Sequence, residues 1–142
     1  MSALRRARFT DLDVATLYAL LRLRVDVFVV EQACAYPELD GRDTEAGTWH
    51  CWLDDAGRLI SYLRLLAEPA GATRLGRMAT AVDRRGEGHA SRLLGATLAG
   101  VEPPVVASVQ AHLQGWYERF GFAAAGPGFV EDGIPHVPMV RA

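Results

Sequence analysis

The sequence contains no lysine and no asparagine, so all 15 of its basic residues are arginine. A phosphate-binding P-loop needs a Gly-Lys-Ser/Thr segment, because its lysine reaches the phosphates of the bound nucleotide. The missing lysine therefore excludes the P-loop class of nucleotide-binding proteins.

Cysteine is also scarce, with Cys34 and Cys51 the two present, and nothing suggests the disulfide scaffold of a secreted domain. No histidine or cysteine pair has the spacing of metal ligands, so we expect no metal. No apolar run approaches the roughly 20 residues that a membrane span requires. A net charge of −2 provides no general attraction to nucleic acid or anionic lipid. We expect a cytoplasmic protein with reduced thiols that binds neither nucleic acid nor membranes.

The length of 142 residues indicates one domain, assigned here to residues 1–142. Apolar spacing predicts a short first strand followed by the order αβββαβαβ. The predicted strands lie at 4–9, 48–53, 59–66, 74–82, 105–109 and within 129–140, and the predicted helices lie at 13–30, 90–101 and 113–120. This order is typical of an α+β domain with a mixed sheet.

Several local patterns refine this prediction. Asp11 or Asp13 is a suitable N-cap for the first helix. The strand at 105–109 follows a strand–loop–helix unit, so we expect it to run parallel to the strand at 74–82. Pro135 and Pro138 place the last strands at a sheet edge or beside a loop. The loop at 31–47 is long for a compact domain, which favours a functional role.

The segment Arg84-Arg85-Gly86-Glu87-Gly88-His89-Ala90 joins a predicted strand to the helix with the clearest apolar stripe. Two glycines two residues apart allow a tight turn in which successive N–H groups point at one spot. The start of the following helix adds the positive end of its dipole there. Together they predict a cradle for an anion, and we expect that anion to be a pyrophosphate.

A glycine segment of this kind is compatible with two other interpretations. A dinucleotide fingerprint requires a third glycine at position 91, where Ser91 stands, and a strand–helix–strand unit that opens the domain. That class is excluded. A plain turn that caps a helix, with no ligand, stays open on the glycine pattern alone.

The pattern Arg85-x-x-Gly88-x-Ala90, followed by Leu93-Leu94, resembles the acetyl-CoA pyrophosphate loop of the GNAT superfamily of N-acyltransferases. The segment 116–122, Trp-Tyr-Glu-Arg-Phe-Gly-Phe, is similar to a second motif of that superfamily. Further blocks resemble its ElaA-like branch, at residues 17–18, 28–32, 37–43, 110–114 and 131–136. The sequence departs from the pattern at Gln110, where many members carry asparagine.

The resemblance implies a single-domain GNAT fold, a mixed and mostly antiparallel sheet with helices on both faces. A splayed pair of parallel strands would hold the acyl-CoA. It implies backbone contacts to the pantetheine from Met78, Ala79, Thr80 and Val82. It implies that the pyrophosphate is held by Arg84, Arg85, Gly86, Glu87, Gly88, His89, Ala90 and Ser91. Tyr117 matches the family's proton donor, and the alternative is that Tyr117 only belongs to an apolar helix face.

The candidate residues for the acceptor site lie mainly in and around the loop after the first helix. Glu31, Glu38, Asp40 and Asp43 form an acidic stretch beside the first helix, where such enzymes commonly bind their acceptors. It is read either as an acidic rim for a cationic amine or as a solvated run of charges. The substrate-binding candidates are Glu31, Gln32, Asp40, His112 and His136.

The favoured function is N-acyl transfer from acetyl-CoA, without a metal, to a small-molecule or peptide amine. A second hypothesis is a regulatory module that binds acyl-CoA without turnover, and a third is a structural interaction domain. The sequence does not identify the acceptor or the general base, and it leaves a homodimer open.

Overall fold

A computed structural model describes residues 2–142 as one mixed β-sheet with helices on both faces. The strands are β1 (Ser2–Ala7), β2 (Trp49–Asp55), β3 (Arg58–Ala67), β4 (Thr73–Thr80), β5 (Val105–Gln110), β6 (Phe122–Ala124), β7 (Phe129–Glu131) and β8 (Ile134–Arg141). The α-helices are α1 (Val14–Val25), α2 (His89–Ala99) and α3 (Gln114–Glu118). Each predicted element is present, with ends shifted by a few residues.

The sheet order is β1-β2-β3-β4-β5-β8-β6, and β7 also pairs with β8. β4 and β5 are parallel, as predicted, and the other pairs are antiparallel. The β4–β5 ladder is short, because it joins only residues 73–75 to residues 105–107. This short parallel ladder determines where the site lies.

The helices cover opposite faces of the sheet. Leu20 and Leu23 of α1 pack in one apolar cluster with Tyr62 of β3. Leu63, the next residue of β3, belongs to a second cluster that contains Leu94 of α2. Because neighbouring residues of a strand point to opposite faces, β3 separates α1 from α2.

The first helix differs from its prediction at its C-terminal end. The side chain of Asp13 accepts a hydrogen bond of 2.6 Å from Thr16 N, which confirms the predicted N-cap. The α-helix ends at Val25, and the chain continues as a π-helical segment at Asp26–Glu31. Short π-helical segments occur often at functional sites.

The proline-containing strand β8 lies inside the sheet, between β5 and the pair formed by β6 and β7. Both alternatives of the prediction therefore occur, because β7 pairs with β8 at the edge of the sheet and β8 lies beside a loop. The carbonyl of Pro138 accepts from Ala125 N at 2.8 Å, just past the end of β6. The backbone nitrogen of a residue points to the same side of a strand as its carbonyl. The nitrogen of Pro138, which carries no hydrogen, thus faces the loop between β6 and β7.

Two further features bear on the sequence-based expectations. Cys34 and Cys51 are free thiols, as predicted. Among the helices of residues 2–142, none combines the length and apolar character needed to cross a bilayer.

Candidate active site

The candidate site is a cleft that opens where β4 and β5 separate. Their last paired residues are Leu75 and Ala107. Beyond that point β4 pairs with β3, and residues 108–110 of β5 pair with β8. The resulting cleft has a volume of about 1050 Å³ and is lined by both strands.

A β-bulge marks the point where β4 departs from β5. Tyr62 opposes Ala79 and Arg64 opposes Gly76, so that Leu63 alone faces two residues of β4. Bulges bend a strand and increase its local twist. The bend begins directly after the last pair of the β4–β5 ladder, which explains why the two strands diverge there.

The predicted anion cradle lies at one end of this cleft. Gly86 and Gly88 have φ angles of 77° and 82°, which glycine adopts without a steric cost. Gly88 is also the N-cap of α2. The residues of this segment that line the cleft are Arg84, Arg85, Gly86, Gly88, His89, Ala90 and Ser91. Backbone N–H groups and a helix N-terminus thus border one end of a cleft large enough for a cofactor.

Both arginines of the segment are engaged by carboxylates. Arg84 donates to Asp55 at 2.8 Å and to Glu87 at 3.0 Å. Arg85 donates to both oxygens of Glu31, at 2.6 and 2.7 Å. This pairing with Arg85 holds the pKa of Glu31 below its usual range. The arginine–carboxylate pairs offset the positive charge of the cradle, so the backbone amides and the helix dipole carry its attraction for an anion.

Tyr117 of α3 lies between the apolar core and the cleft. It is 7% exposed and belongs to the core cluster on the α2 face, yet it also lines the cleft. Its ring meets the edges of Trp116 and Phe122, with centroids 4.9 and 5.8 Å away. Burial raises the pKa of Tyr117 to about 12, so its hydroxyl stays protonated at neutral pH.

The remaining residues predicted to bind the cofactor divide into two groups. Met78, Ala79 and Thr80 line the cleft along β4. Val82 and Glu87 are not among its lining residues, and Val82 lies in a 3-10 turn with 70% of its surface exposed. The 3-10 turn begins after β4 ends, so the chain has left the cleft wall by Val82.

The residues proposed for the acceptor site also border the cleft, and one of them, Glu31, lies beside the cradle, where it pairs with Arg85. All five candidates line the cleft, namely Glu31, Gln32, Asp40, His112 and His136. The side-chain amide of Gln110 donates to Gln32 at 3.2 Å, which links β5 to the end of the first helix. His136 is fixed by a hydrogen bond from Nδ1 to the carbonyl of Ile134 at 2.7 Å and by stacking on Phe129.

The predicted acidic rim takes another form in the structure. Glu38 and Asp43 are buried beneath the cleft, at 4% and 7% exposure. Arg24 donates to both of them at 2.6 Å, and Arg64 donates to Asp40 at 2.8 and 2.9 Å. The carboxylates are neutralised because arginines from α1 and β3 reach them. Glu38 and Asp43 therefore offer no acidic surface to an amine.

Several cleft residues were not predicted from the sequence. They are Cys34, Tyr36, Arg77 and Gln110, and all of them line the cleft. Gln110 stands at the family's asparagine position, which was a usable signal. The others follow no local pattern, because their exposure to the cleft depends on the bulge in β4 and on the path of the loop after the first helix.

The chain resembles known proteins in sequence over nearly its whole length. Residues 22–142 match the acetyltransferase (GNAT) domain family. The UPF0039 protein of Mycobacterium tuberculosis is 53% identical in an alignment 144 positions long, gaps included, which covers 98% of this chain and 92% of that protein. Escherichia coli ElaA is 38% identical in an alignment 141 positions long, gaps included, which covers 93% of this chain and 91% of that protein.

Solved structures agree with the sequence comparison. The crystal structure of E. coli ElaA superposes with a TM-score of 0.93 at 35% identity and covers 100% of both chains. The structure of an acyl-CoA N-acyltransferase from Pseudomonas aeruginosa superposes with a TM-score of 0.92 at 40% identity, also over 100% of both chains. These matches confirm the predicted fold.

Proposed function

The chain belongs to the GNAT acetyltransferase family, and on that premise we propose that it moves an acetyl group from acetyl-CoA to an amine. Family membership makes it an acyltransferase. The observation that carries the proposal is the cleft itself, which joins an anion cradle at one end to the buried hydroxyl-bearing side chain of Tyr117. The acceptor is proposed to be a small-molecule or peptide amine, and the compartment the cytoplasm.

The donor would bind along the free side of β4. Residues 76–80 lack a β5 partner, so the pantetheine amides can hydrogen-bond to them as an added strand does. Its pyrophosphate would then meet the N–H groups of the segment from Gly86 to Ser91. The relative from P. aeruginosa, named as an acyl-CoA N-acyltransferase, supports this class of donor.

The reaction would proceed by direct attack of the neutral amine on the thioester carbonyl. The amine nitrogen forms the new C–N bond while the carbonyl oxygen gains negative charge. Backbone N–H groups near Ala79 and Thr80, beside the bulge, would stabilise that oxygen. The C–S bond then breaks, Tyr117 protonates the departing thiolate, and the amine proton passes to solvent or a base.

Release of free CoA from acetyl-CoA, measured with a panel of amines, tests this function. A panel of diamines, amino acids and peptide N-termini should contain members that accelerate CoA release well above the rate without amine. A regulatory module would bind acetyl-CoA, and its melting midpoint would rise, yet no amine would release CoA. An interaction domain would show neither effect.

The cradle is tested by Gly88→Ala, matched with Gly57→Ala in the β2–β3 turn. Both glycines have positive φ, 82° and 85°, and open space where a Cβ would stand. Each substitution should lower stability by a similar amount, about 1 kcal/mol, through backbone strain. Only Gly88→Ala should also weaken acetyl-CoA binding, seen as a smaller ligand-induced rise in melting midpoint. Equal rises in the two variants would remove Gly88 from the proposed binding site.

A further inference from the structure

Arg77 has a backbone conformation that its residue type rarely adopts. Its φ angle is 54°, in the left-handed region, and it lies in the bulge of β4. A non-glycine residue keeps such a conformation only when its surroundings hold it there. The contacts of its side chain show what holds it.

The guanidinium of Arg77 is fastened to Glu38. Its Nε donates to Oε2 of Glu38 at 2.8 Å, and its Nη2 donates to the backbone carbonyl of Glu38 at 3.3 Å. A weaker contact of 3.4 Å runs from Nη2 to Asp40. These two contacts to one residue define the orientation of the guanidinium plane. A lysine ammonium, which has no plane, could not be oriented in this way.

Glu38 is in turn fixed from the opposite side. Its side chain is 3% exposed, and Oε2 also accepts from Nε of Arg24, which is fully buried in α1, at 2.6 Å. Its other oxygen, Oε1, accepts from the hydroxyl of Tyr36 at 2.5 Å. One buried carboxylate therefore ties the bulge of β4 to α1.

We propose that Glu38 and Arg77 are positioning residues for acyl transfer. Glu38 holds Arg77 in its left-handed conformation, which keeps the bulge in place, the β4–β5 cleft open and the amides near Ala79 aimed at the thioester. The inference rests on the proposed function. According to this inference, the loop after the first helix supports the donor site. Its composition had suggested a different role, an acidic rim that binds the acceptor.

Three variants test this role, namely Arg77→Ala, Arg77→Gly and the control Arg5→Ala. Arg5 also lies in a strand of the sheet, β1, and pairs with Asp54 at 3.3 Å, but it does not line the cleft and does not have positive φ. Arg77→Ala should lower kcat about tenfold or more, because small displacements of a catalytic group are costly. Arg77→Gly should keep kcat within about threefold of wild type, since glycine retains positive φ without an anchor. Arg5→Ala should keep kcat within about twofold of wild type.

The expected ranking of kcat values distinguishes a positioning role of Arg77 from the other roles that an arginine can have. If Arg77 bound a substrate by its charge, alanine and glycine would lower kcat equally. If it served stability alone, both would lower the melting midpoint and leave kcat unchanged. In an ordinary strand position glycine is the more disruptive of the two. Equal activity of the alanine and glycine variants would overturn the inference.

Crystal structures of the two Arg77 variants separate this inference from the proposed function. In Arg77→Ala we expect residue 77 to leave positive φ and the β4–β5 ladder to extend beyond Leu75 and Ala107. In Arg77→Gly we expect the bulge to persist. An unchanged bulge in Arg77→Ala would overturn the inference even if wild type acetylates amines. If wild type releases no CoA with any amine, the proposed function fails, and the bulge geometry still decides whether the anchored side chain of Arg77 keeps the bulge in place.

Discussion

Tyr117→Phe should lower kcat about 100-fold or more, while the KM for acetyl-CoA changes little. The substitution removes one oxygen and keeps the ring that packs against Trp116 and Phe122. The cleft and the anion cradle therefore keep their shape. What disappears is the proton for the departing thiolate, which is needed in the transition state and not for binding.

The high pKa of Tyr117 is compatible with this role because the thiolate leaves into the same apolar surroundings. In water, a thiol with a pKa near 8.5 would be a poor base toward a phenol with a pKa of about 12. Burial shifts thiols in the same direction. The thiol of Cys51, buried in the cluster that contains Tyr117, has its pKa raised by burial to about 11. Partial burial of the departing thiolate beside Tyr117 would shift its pKa upward in the same way, which narrows the pKa difference that opposes proton transfer.

The pH dependence of the rate supplies a second test of Tyr117. Because its pKa is about 12, Tyr117 stays protonated throughout the pH range of the assay. The rate should rise with pH as the acceptor amine loses its proton, in wild type and in Tyr117→Phe alike. Their ratio should stay constant between about pH 6 and pH 10. A ratio that falls within this range would mean that Tyr117 ionises there and that the assigned role is wrong.

The matched control is Tyr18→Phe, which removes the same atom from an exposed tyrosine on α1. Tyr18 does not line the cleft, so kcat should equal that of wild type. A comparable loss of activity in both variants would point to a general effect of removing a tyrosine hydroxyl. Full activity of Tyr117→Phe would leave Tyr117 with a packing role only.

Local patterns were sufficient to predict most of the elements and the glycine segment that borders the cleft. The apolar stripe from Ala90 onward predicted α2, which begins at His89 and ends at Ala99. The same strand–loop–helix unit predicted the parallel pairing of β4 and β5. These features depend on residues close together in sequence, so spacing alone reveals them.

The buried charge cluster could not be predicted because its members are distant in sequence. Arg24 contacts carboxylates 14 and 19 residues away, and Arg77 contacts one 39 residues away. In the sequence Arg24 looks like Arg22, two positions earlier, although Arg22 is exposed and Arg24 is buried. The bulge at Arg77 could not be predicted from the sequence either, because its positive φ angle occurs at an arginine and not at a glycine. Only the packing of α1 against β3 and β4 brings these groups together.

Arg24→Met should destabilise the protein by about 3–5 kcal/mol, the cost typical of breaking a buried ion pair on one side. Methionine fills much of the space but cannot donate to Glu38 and Asp43, which would remain buried with fewer partners. The control is Arg22→Met, whose pair with Asp26 is mostly exposed at 74% and 59%. That change should stay within about 0.5 kcal/mol. Urea midpoints with unchanged m-values measure both.

The pH dependence of stability shows whether Arg24→Met destabilises the protein through lost ion pairs or through lost packing. Burial opposes ionisation of Asp43, but hydrogen bonds and charge from Arg24 and Arg64 outweigh it and hold its pKa below the ordinary value. A carboxyl with a lowered folded-state pKa stabilises the fold above its unfolded pKa, near 3.9, and loses that contribution as pH falls further. Removing Arg24 weakens this contribution. The difference in unfolding free energy between wild type and Arg24→Met should therefore be largest near pH 7 and shrink below about pH 4.

If the difference in unfolding free energy between wild type and Arg24→Met stays constant with pH, the lost stability is due to packing, because a cavity has no ionisable group. The two causes also differ in their effect on activity. Loss of the charge contact leaves Glu38 held by Arg77 and Tyr36 but detached from α1. Arg24→Met should then also lower kcat at temperatures where the variant is fully folded, whereas Arg22→Met should not. A destabilised variant with normal kcat would show that Arg24 supports the fold alone and that Glu38 keeps the bulge in place without it.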